Sequence, residues 1–141
     1  MALLSWSKQY QIGNDLIDNE HEELFRLINA FHDHWLEKRE RQTIIPLLNQ
    51  LVVYAQMHFR HEELIMQGAE YPKLAEHQQV HEAMVETIFK LRQSFEAHDS
   101  HLEMNTMKFI KTWLLEHIIQ NDYLFRDFLI RQKNSVETTA P

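Results

Sequence analysis

Apolar residues recur every three or four positions along four stretches of the chain, the spacing of one face of an α-helix. The first stripe reads Ile17, His21, Leu24, Ile28, Phe31, Trp35 and the second Leu48, Leu51, Ala55, His58, Glu62, Ile65. The third reads Leu74, His77, His81, Met84, Ile88, Leu91, Phe95 and the fourth Ile110, Leu114, His117, Asn121, Leu124, Phe128. Breakers and capping residues mark the ends. Asn14 or Asp15 caps the first predicted helix, which runs to about Trp35. Thr43 caps the second, placing Pro46 in its first turn and Gly68 just past its end. Pro72 opens the third, which reaches about Glu96, and Ser100-His-Leu-Glu103 has the form of a capping box for the fourth, which reaches about Arg131. Short connections between long helices predict an all-α, up-down-up-down antiparallel four-helix bundle over residues 1–132. An N-terminal arm carrying Trp6, Tyr10 and Ile12 precedes it, and residues 133–141 read as a frayed polar tail or a linker.

Composition narrows this picture. With 141 residues, 44% of them hydrophobic, the chain suits a single core. Two glycines and three prolines are too few for the turns of a β-sandwich or for a glycine-rich phosphate loop. A formal charge of −7 without a basic patch argues against nucleic acid as a partner. No apolar run approaches the roughly 20 residues of a membrane span, and MALLSWSKQY lacks the form of a signal peptide, so no membrane role and a cytoplasmic location are expected. The absence of cysteine removes disulfides, thiolate-bound metals and thiol nucleophiles. Against this plain background stand ten histidines.

Five of the ten interrupt the apolar stripes, together with Glu62. A single histidine on such a stripe is ordinarily a hydrogen-bonded core residue. Six buried polar interruptions, at roughly 1–3 kcal/mol each if unsatisfied, would consume most of the roughly 5–15 kcal/mol that stabilises a domain. Something must hold them. His58 and Glu62 are four residues apart, as are His77 and His81, so each pair shares a helix face. In an antiparallel bundle, His21 near the start of the first helix can meet the end of the second, the start of the third, and His117 past the middle of the fourth. Five imidazoles and a carboxylate exceed the three or four ligands of one zinc ion, so two metals are expected. The donor set suits iron, manganese, zinc or nickel without choosing among them. The ferritin-like di-iron bundle requires a Glu-x-x-His pair on each of two helices, and no glutamate here has a histidine three residues later. His32, His34, His61, His98 and His101 have no partner at the level of this cluster and read as surface groups, with His61 singled out because it adjoins Glu62.

These residues resemble the hemerythrin family, most closely its single-domain bacterial members, from about Trp6 to Phe128. Ile17-Asp-Asn-Glu-His21 is similar to the family's first histidine motif, and His58-Phe-Arg-His-Glu62-Glu to its H-F-x-x-E-E motif. His77-Gln-Gln-Val-His81 matches H-x-x-x-H, and Trp113-Leu-Leu-Glu-His117-Ile-Ile-Gln-Asn-Asp122 matches W-x-x-x-H-x-x-x-x-D. The resemblance implies a non-haem centre of two iron ions, bridged by an oxo or hydroxo group and by Glu62 and Asp122. His77, His81 and His117 would hold one iron; His21 and His58 would hold the other, leaving it five-coordinate and open to dioxygen, bound reversibly as hydroperoxide. The family's positions also imply that Leu24, Phe59, Trp113, Leu114 and Ile118 wall an oxygen pocket.

One position strains a regular helix. Periodicity turns Asn121 inward, whereas the family pattern requires Asp122, about 140° away from His117 on an ideal helix. A carboxylate bridges two cations and a neutral amide does so poorly, so Asp122 is favoured and a π-bulge is predicted between His117 and Asp122. The expected function is reversible oxygen binding without net turnover, as carrier, store or sensor. The alternatives are a sensory domain controlling an attached signalling output, and a di-iron peroxide or nitric oxide reductase. No additional acid or base can be placed near the open iron, which ranks the enzyme last.

Overall fold

The computed structural model describes residues 3–37, 41–97 and 102–139. Its helices are α1 (Asp15–Leu36), α2 (Arg41–Gly68), α3 (Leu74–Glu96), α4 (Leu102–His117) and α5 (Tyr123–Thr139), with a π-helical turn, Ile118–Asp122, joining α4 to α5. α4, the turn and α5 together form the fourth arm of the bundle. α1 packs on α2, α2 on α3, α3 on α4, and α4 returns to α1, closing a four-helix ring. No strand occurs among the described residues.

Local chemistry sets the ends. Asn14 Oδ1 accepts the Ile17 N–H at 3.0 Å, capping α1 as expected. α2 starts at Arg41 rather than after a Thr43 cap, and Pro46 lies inside the helix instead of in its first turn. Ile44, 3% exposed, joins the main core and draws the additional turn into the helix. Gly68 is the last residue of α2 and does not take the left-handed position past its end; Glu70 does, with φ of 55°. The Tyr71 N–H reaches the Met66 carbonyl and the Glu70 N–H that of Gln67, both at 3.0 Å, the pattern of a Schellman closure. Tyr71, buried against Phe125 and Phe128, fixes where this closure falls. Pro72 occupies the turn before α3 rather than its first turn. The Ser100–Glu103 capping box lies partly outside the described residues, and so do His98 and His101. Beyond Arg131 the helix continues to Thr139 where a frayed tail was expected, because no glycine or proline interrupts the sequence before Pro141.

The arm is tied down by side chains of α1. Asn29 accepts from the Leu4 N–H and donates to the Leu4 carbonyl, both at 2.8 Å, while Asp18 accepts the Ile12 N–H at 2.7 Å and the Gly13 N–H at 3.3 Å. Trp6 and Tyr10 pack edge-on against Phe25, and the Tyr123 hydroxyl of α5 donates to the Gln9 carbonyl at 2.6 Å. Gly13, with φ of 93°, makes the reversal between arm and helix.

Burial follows the central parts of the stripes; toward their ends Trp35, Leu74 and Leu91 are half-buried, Met66 rather than Ile65 is inside on α2, and the fourth arm shows a shift of phase. Along the fourth arm Ile110, Leu114, His117 and Ile118 are buried, but past the π turn the inward positions are Asp122 and Phe125, both fully buried. Leu124, expected inside, is 45% exposed, and Asn121 is half-buried. The extra residue of a π turn advances the helix face by one position, which brings Asp122 and Phe125 inside in place of Asn121 and Leu124. Two apolar clusters result. The larger includes Phe31, Leu48, Leu51, Ile88, Phe95 and Leu114; the smaller comprises Ile12, Ile17, Met66, Tyr71 and Phe125.

Candidate metal centre

A layer of polar side chains separates these two clusters. On α1, His21 lies between Ile17 of the smaller cluster and Leu24 of the larger; on α2, His58 and Glu62 lie between Ala55 and Met66; Asp122 lies between Ile118 and Phe125. α3 contributes His77 and His81, and α4 ends on His117. All seven are buried, with His21, His58, Glu62 and Asp122 at 0% exposure. Their ligating atoms form two groups, Glu62, His77, His81, His117 and Asp122 in one, His21, His58 and Glu62 in the other.

Each carboxylate divides its two oxygens between these groups. Glu62 Oε1 lies 2.6 Å from His77 Nε2 and 3.2 Å from His81 Nε2, whereas its Oε2 lies 3.2 Å from His58 Nε2 and 3.5 Å from His21 Nε2. Asp122 Oδ1 is 3.2 Å from both His77 Nε2 and His117 Nε2, and its Oδ2 is 3.1 Å from His21 Nε2. One side therefore gathers three imidazoles and one oxygen of each carboxylate, and the other gathers two imidazoles and the remaining oxygens. Asp122 reaches this position through the π turn, which rotates it onto the face of His117.

The polar atoms of this layer outnumber the partners they have. His21 Nε2, His58 Nε2, Glu62 Oε2 and both Asp122 oxygens are buried and form no hydrogen bond among the described residues. His81 Nε2 and His117 Nε2 face each other at 3.1 Å, an approach of two lone pairs that needs a proton or a cation between them. Such a convergence of unpartnered nitrogen and carboxylate oxygen fits divalent metal ions.

The electrostatics show what protons must do without metal. Burial alone depresses an imidazole, yet the Asp122 and Glu62 carboxylates raise His21 to about 9. His117 is likewise pushed down by burial and carried up to about 10 by the Asp122 carboxylate beside it and, less, by Glu62. His77 is raised against the same burial by Asp122 and Glu62. His81 is lowered, because burial and the neighbouring imidazoles outweigh its contact with Glu62. Burial pushes both carboxylates up, but the surrounding imidazoles hold Glu62 and Asp122 well below the usual carboxylate range. In the metal-free protein, protons take the role of cations.

Around the seven lies a layer that the stripes did not reveal. Glu20, 5% exposed, holds His58 Nδ1 at 3.0 Å with one oxygen and His61 Nδ1 at 2.7 Å with the other. Burial raises its pKa and these two imidazoles lower it, with a net fall. His61, read from the sequence as having no partner at this level, is therefore attached to it. Glu63 Oε2 lies 3.3 Å from His81 Nδ1. Nothing local flags Glu20, whose partners are 38 and 41 residues away in sequence. His34 bonds to the Ala30 carbonyl of its own helix and His32 lies beside Trp35, both apart from the layer.

Leu24, Phe59, Trp113, Leu114 and Ile118 are all buried in the larger cluster. Phe59 lies flat on His81, ring centroids 4.1 Å apart and planes 11° from parallel, while the Trp113 indole donates to the Met84 carbonyl at 3.2 Å. A groove of about 580 Å³ between α2 and α3 reaches down to Phe59 and His81, and one of about 390 Å³ between α3 and α4 reaches Trp113 and His117. Among the described residues, no helix is long and apolar enough to cross a membrane.

Comparison with known proteins agrees with the arrangement. Residues 12–128 match the Hemerythrin HHE cation binding domain. The chain is 33% identical over 128 residues to a bacteriohemerythrin of Stenotrophomonas maltophilia, covering 90% of this chain and 82% of that protein. It is 30% identical over 126 residues to a bacteriohemerythrin of Methylococcus capsulatus, covering 89% and 95%. The crystal structure of a wild-type hemerythrin superposes with a TM-score of 0.80 at 29% identity, covering 89% of this chain and 97% of that one. A matching family model across most of the chain, two relatives at this level of identity and the same bundle place the protein in the hemerythrin family, whose members bind iron without haem.

Proposed function

We propose that the polar layer holds two iron ions and that the protein binds dioxygen reversibly between them and the apolar core. The observation that carries this reading is the division of the four carboxylate oxygens of Glu62 and Asp122 between a three-histidine side and a two-histidine side. His77, His81 and His117 hold one ion and His21 and His58 the other, with both carboxylates shared. The two-histidine side has one protein donor fewer, so a small exogenous ligand has a position there and nowhere else in the layer. Two ferrous ions held by these residues would supply the two electrons that reversible dioxygen binding needs.

The chain's own residues set the conditions. Glu62 and Asp122 bring two negative charges to a layer of otherwise neutral ligands and offset much of the charge of two divalent cations. Leu24, Phe59, Trp113, Leu114 and Ile118 exclude water and disfavour the escape of charged oxygen species, which slows irreversible oxidation. Oxygen itself is small and apolar and can approach along the grooves flanking α3. A carrier or store needs nothing further; in a sensor, the same site would control an attached output.

The test is to count metals per chain and then admit air to the anaerobically reduced protein. Two irons and a visible spectrum that appears with oxygen and disappears under vacuum are expected. One metal per chain, or oxidation that no removal of oxygen reverses, would overturn the reading.

A further inference from the structure

The two sides of the layer differ in what supports their histidines from behind. His58 points Nε2 at Glu62 Oε2, 3.2 Å away, and its outer nitrogen, Nδ1, at Glu20 Oε1, 3.0 Å away. A carboxylate on Nδ1 fixes the tautomer, since that nitrogen must then carry the hydrogen and donate it, leaving the Nε2 lone pair for the layer. Glu20 is in turn held at its second oxygen by His61 Nδ1 at 2.7 Å, and the His61 side chain is 37% exposed. This is a chain of three side chains running from the two-histidine side to the surface of α2. The outer nitrogens of His21, His81 and His117 have no hydrogen-bond partner among the described residues, and Glu63 approaches His81 without hydrogen-bond alignment.

We propose that Glu20 and His61 are positioning residues for the two-histidine metal alone, with His61 fixing Glu20 and Glu20 fixing the ring and tautomer of His58. This rests on the two-metal reading above. With only His21, His58 and shared carboxylate oxygens, that metal has the poorer ligand set, so the orientation of His58 governs how long it stays. Outer-layer partners of metal-bound histidines commonly contribute about 10–100-fold in affinity.

The experiment follows anaerobic transfer of ferrous iron from the loaded full-length protein to a coloured ferrous chelator. Two phases of one iron per chain are expected for the unaltered protein. Glu20→Ala should accelerate the faster phase about 10–100-fold and leave the slower one unchanged. His61→Leu, altered at a partly exposed position, should accelerate the same phase by a smaller factor. His61→Asn should restore it, because the Asn amide N–H can replace Nδ1–H as donor to Glu20. Glu63→Gln, next to His81, should leave that phase alone. Acceleration of both phases, or of neither, in Glu20→Ala and His61→Leu would overturn the inference while leaving two irons per chain intact. Fewer than two irons in the unaltered protein would instead overturn the reading on which it rests.

Discussion

Removing the metal should make the protein lose stability at alkaline pH, where the loaded protein does not. In the stripped protein His21 has its pKa raised from 6.5 to about 9, a difference of about 2.5 pH units. At about 1.4 kcal/mol per unit, this one imidazole contributes on the order of 3 kcal/mol to the folded state. A raised pKa contributes fully below the unfolded value, near 6.5, and is lost as pH rises through about 9. His117, raised to about 10, and His77 extend the loss in the same direction. The three do not simply add, because all lean on Glu62 and Asp122. Those carboxylates, with depressed pKa values, contribute above the ordinary range near 4 and lose their contribution as pH falls below it. The stripped protein should therefore be most stable between about pH 4.5 and 6.5 and lose several kcal/mol by pH 10. Metal must displace these same protons, so the stabilisation due to loading grows over the interval in which the stripped protein weakens. Guanidinium unfolding of stripped and anaerobically loaded protein at pH 6 and pH 9.5 measures both slopes. Equal stability of the stripped protein at the two pH values would refute the proton-for-metal exchange.

Asp122→Asn should reduce metal content below two per chain, whereas Asn121→Ala should leave it at two; elemental analysis of purified variants separates the residue that the π turn carries inward from its half-buried neighbour. Glu70→Gly should stabilise the protein by about 1 kcal/mol in thermal unfolding, because glycine accepts the positive φ at that closure without the steric cost borne by glutamate. A destabilisation would mean that the entropy glycine adds to the unfolded chain exceeds that relief.

The bundle was legible because its four stripes obey one period, and six of the seven residues in the polar layer were legible as interruptions of those stripes. Asp122 was not, since the period points to Asn121. Only the need for a bridging carboxylate and the family pattern favoured it, and the π turn is the backbone's accommodation. The same turn carries Leu124 outward and Phe125 inward, which a single helical period along the fourth arm cannot show. Glu20 escaped because it sits one position before His21, which the stripe had already chosen, and its partners come from another helix. Local propensity placed the Asn14 cap correctly and misplaced those of α2, where Ile44 and Tyr71 are buried by contacts that no window of sequence contains.

Two apolar clusters with a polar layer between them behave differently from one continuous core. The smaller cluster, Ile12, Ile17, Met66, Tyr71 and Phe125, gathers the end of the arm, the start of α1, the end of α2 and the start of α5 into a separate plug. Its link to the larger cluster passes largely through His21, Glu62 and Asp122, groups that repel or hydrate unless protons or a metal ion join them. On the proposed two-metal reading, occupancy would set the cooperativity of the whole bundle. Loaded, both ends open to solvent only in the global transition; stripped, amide hydrogens around the plug exchange through an opening of their own while those beside Phe31 and Phe95 stay protected.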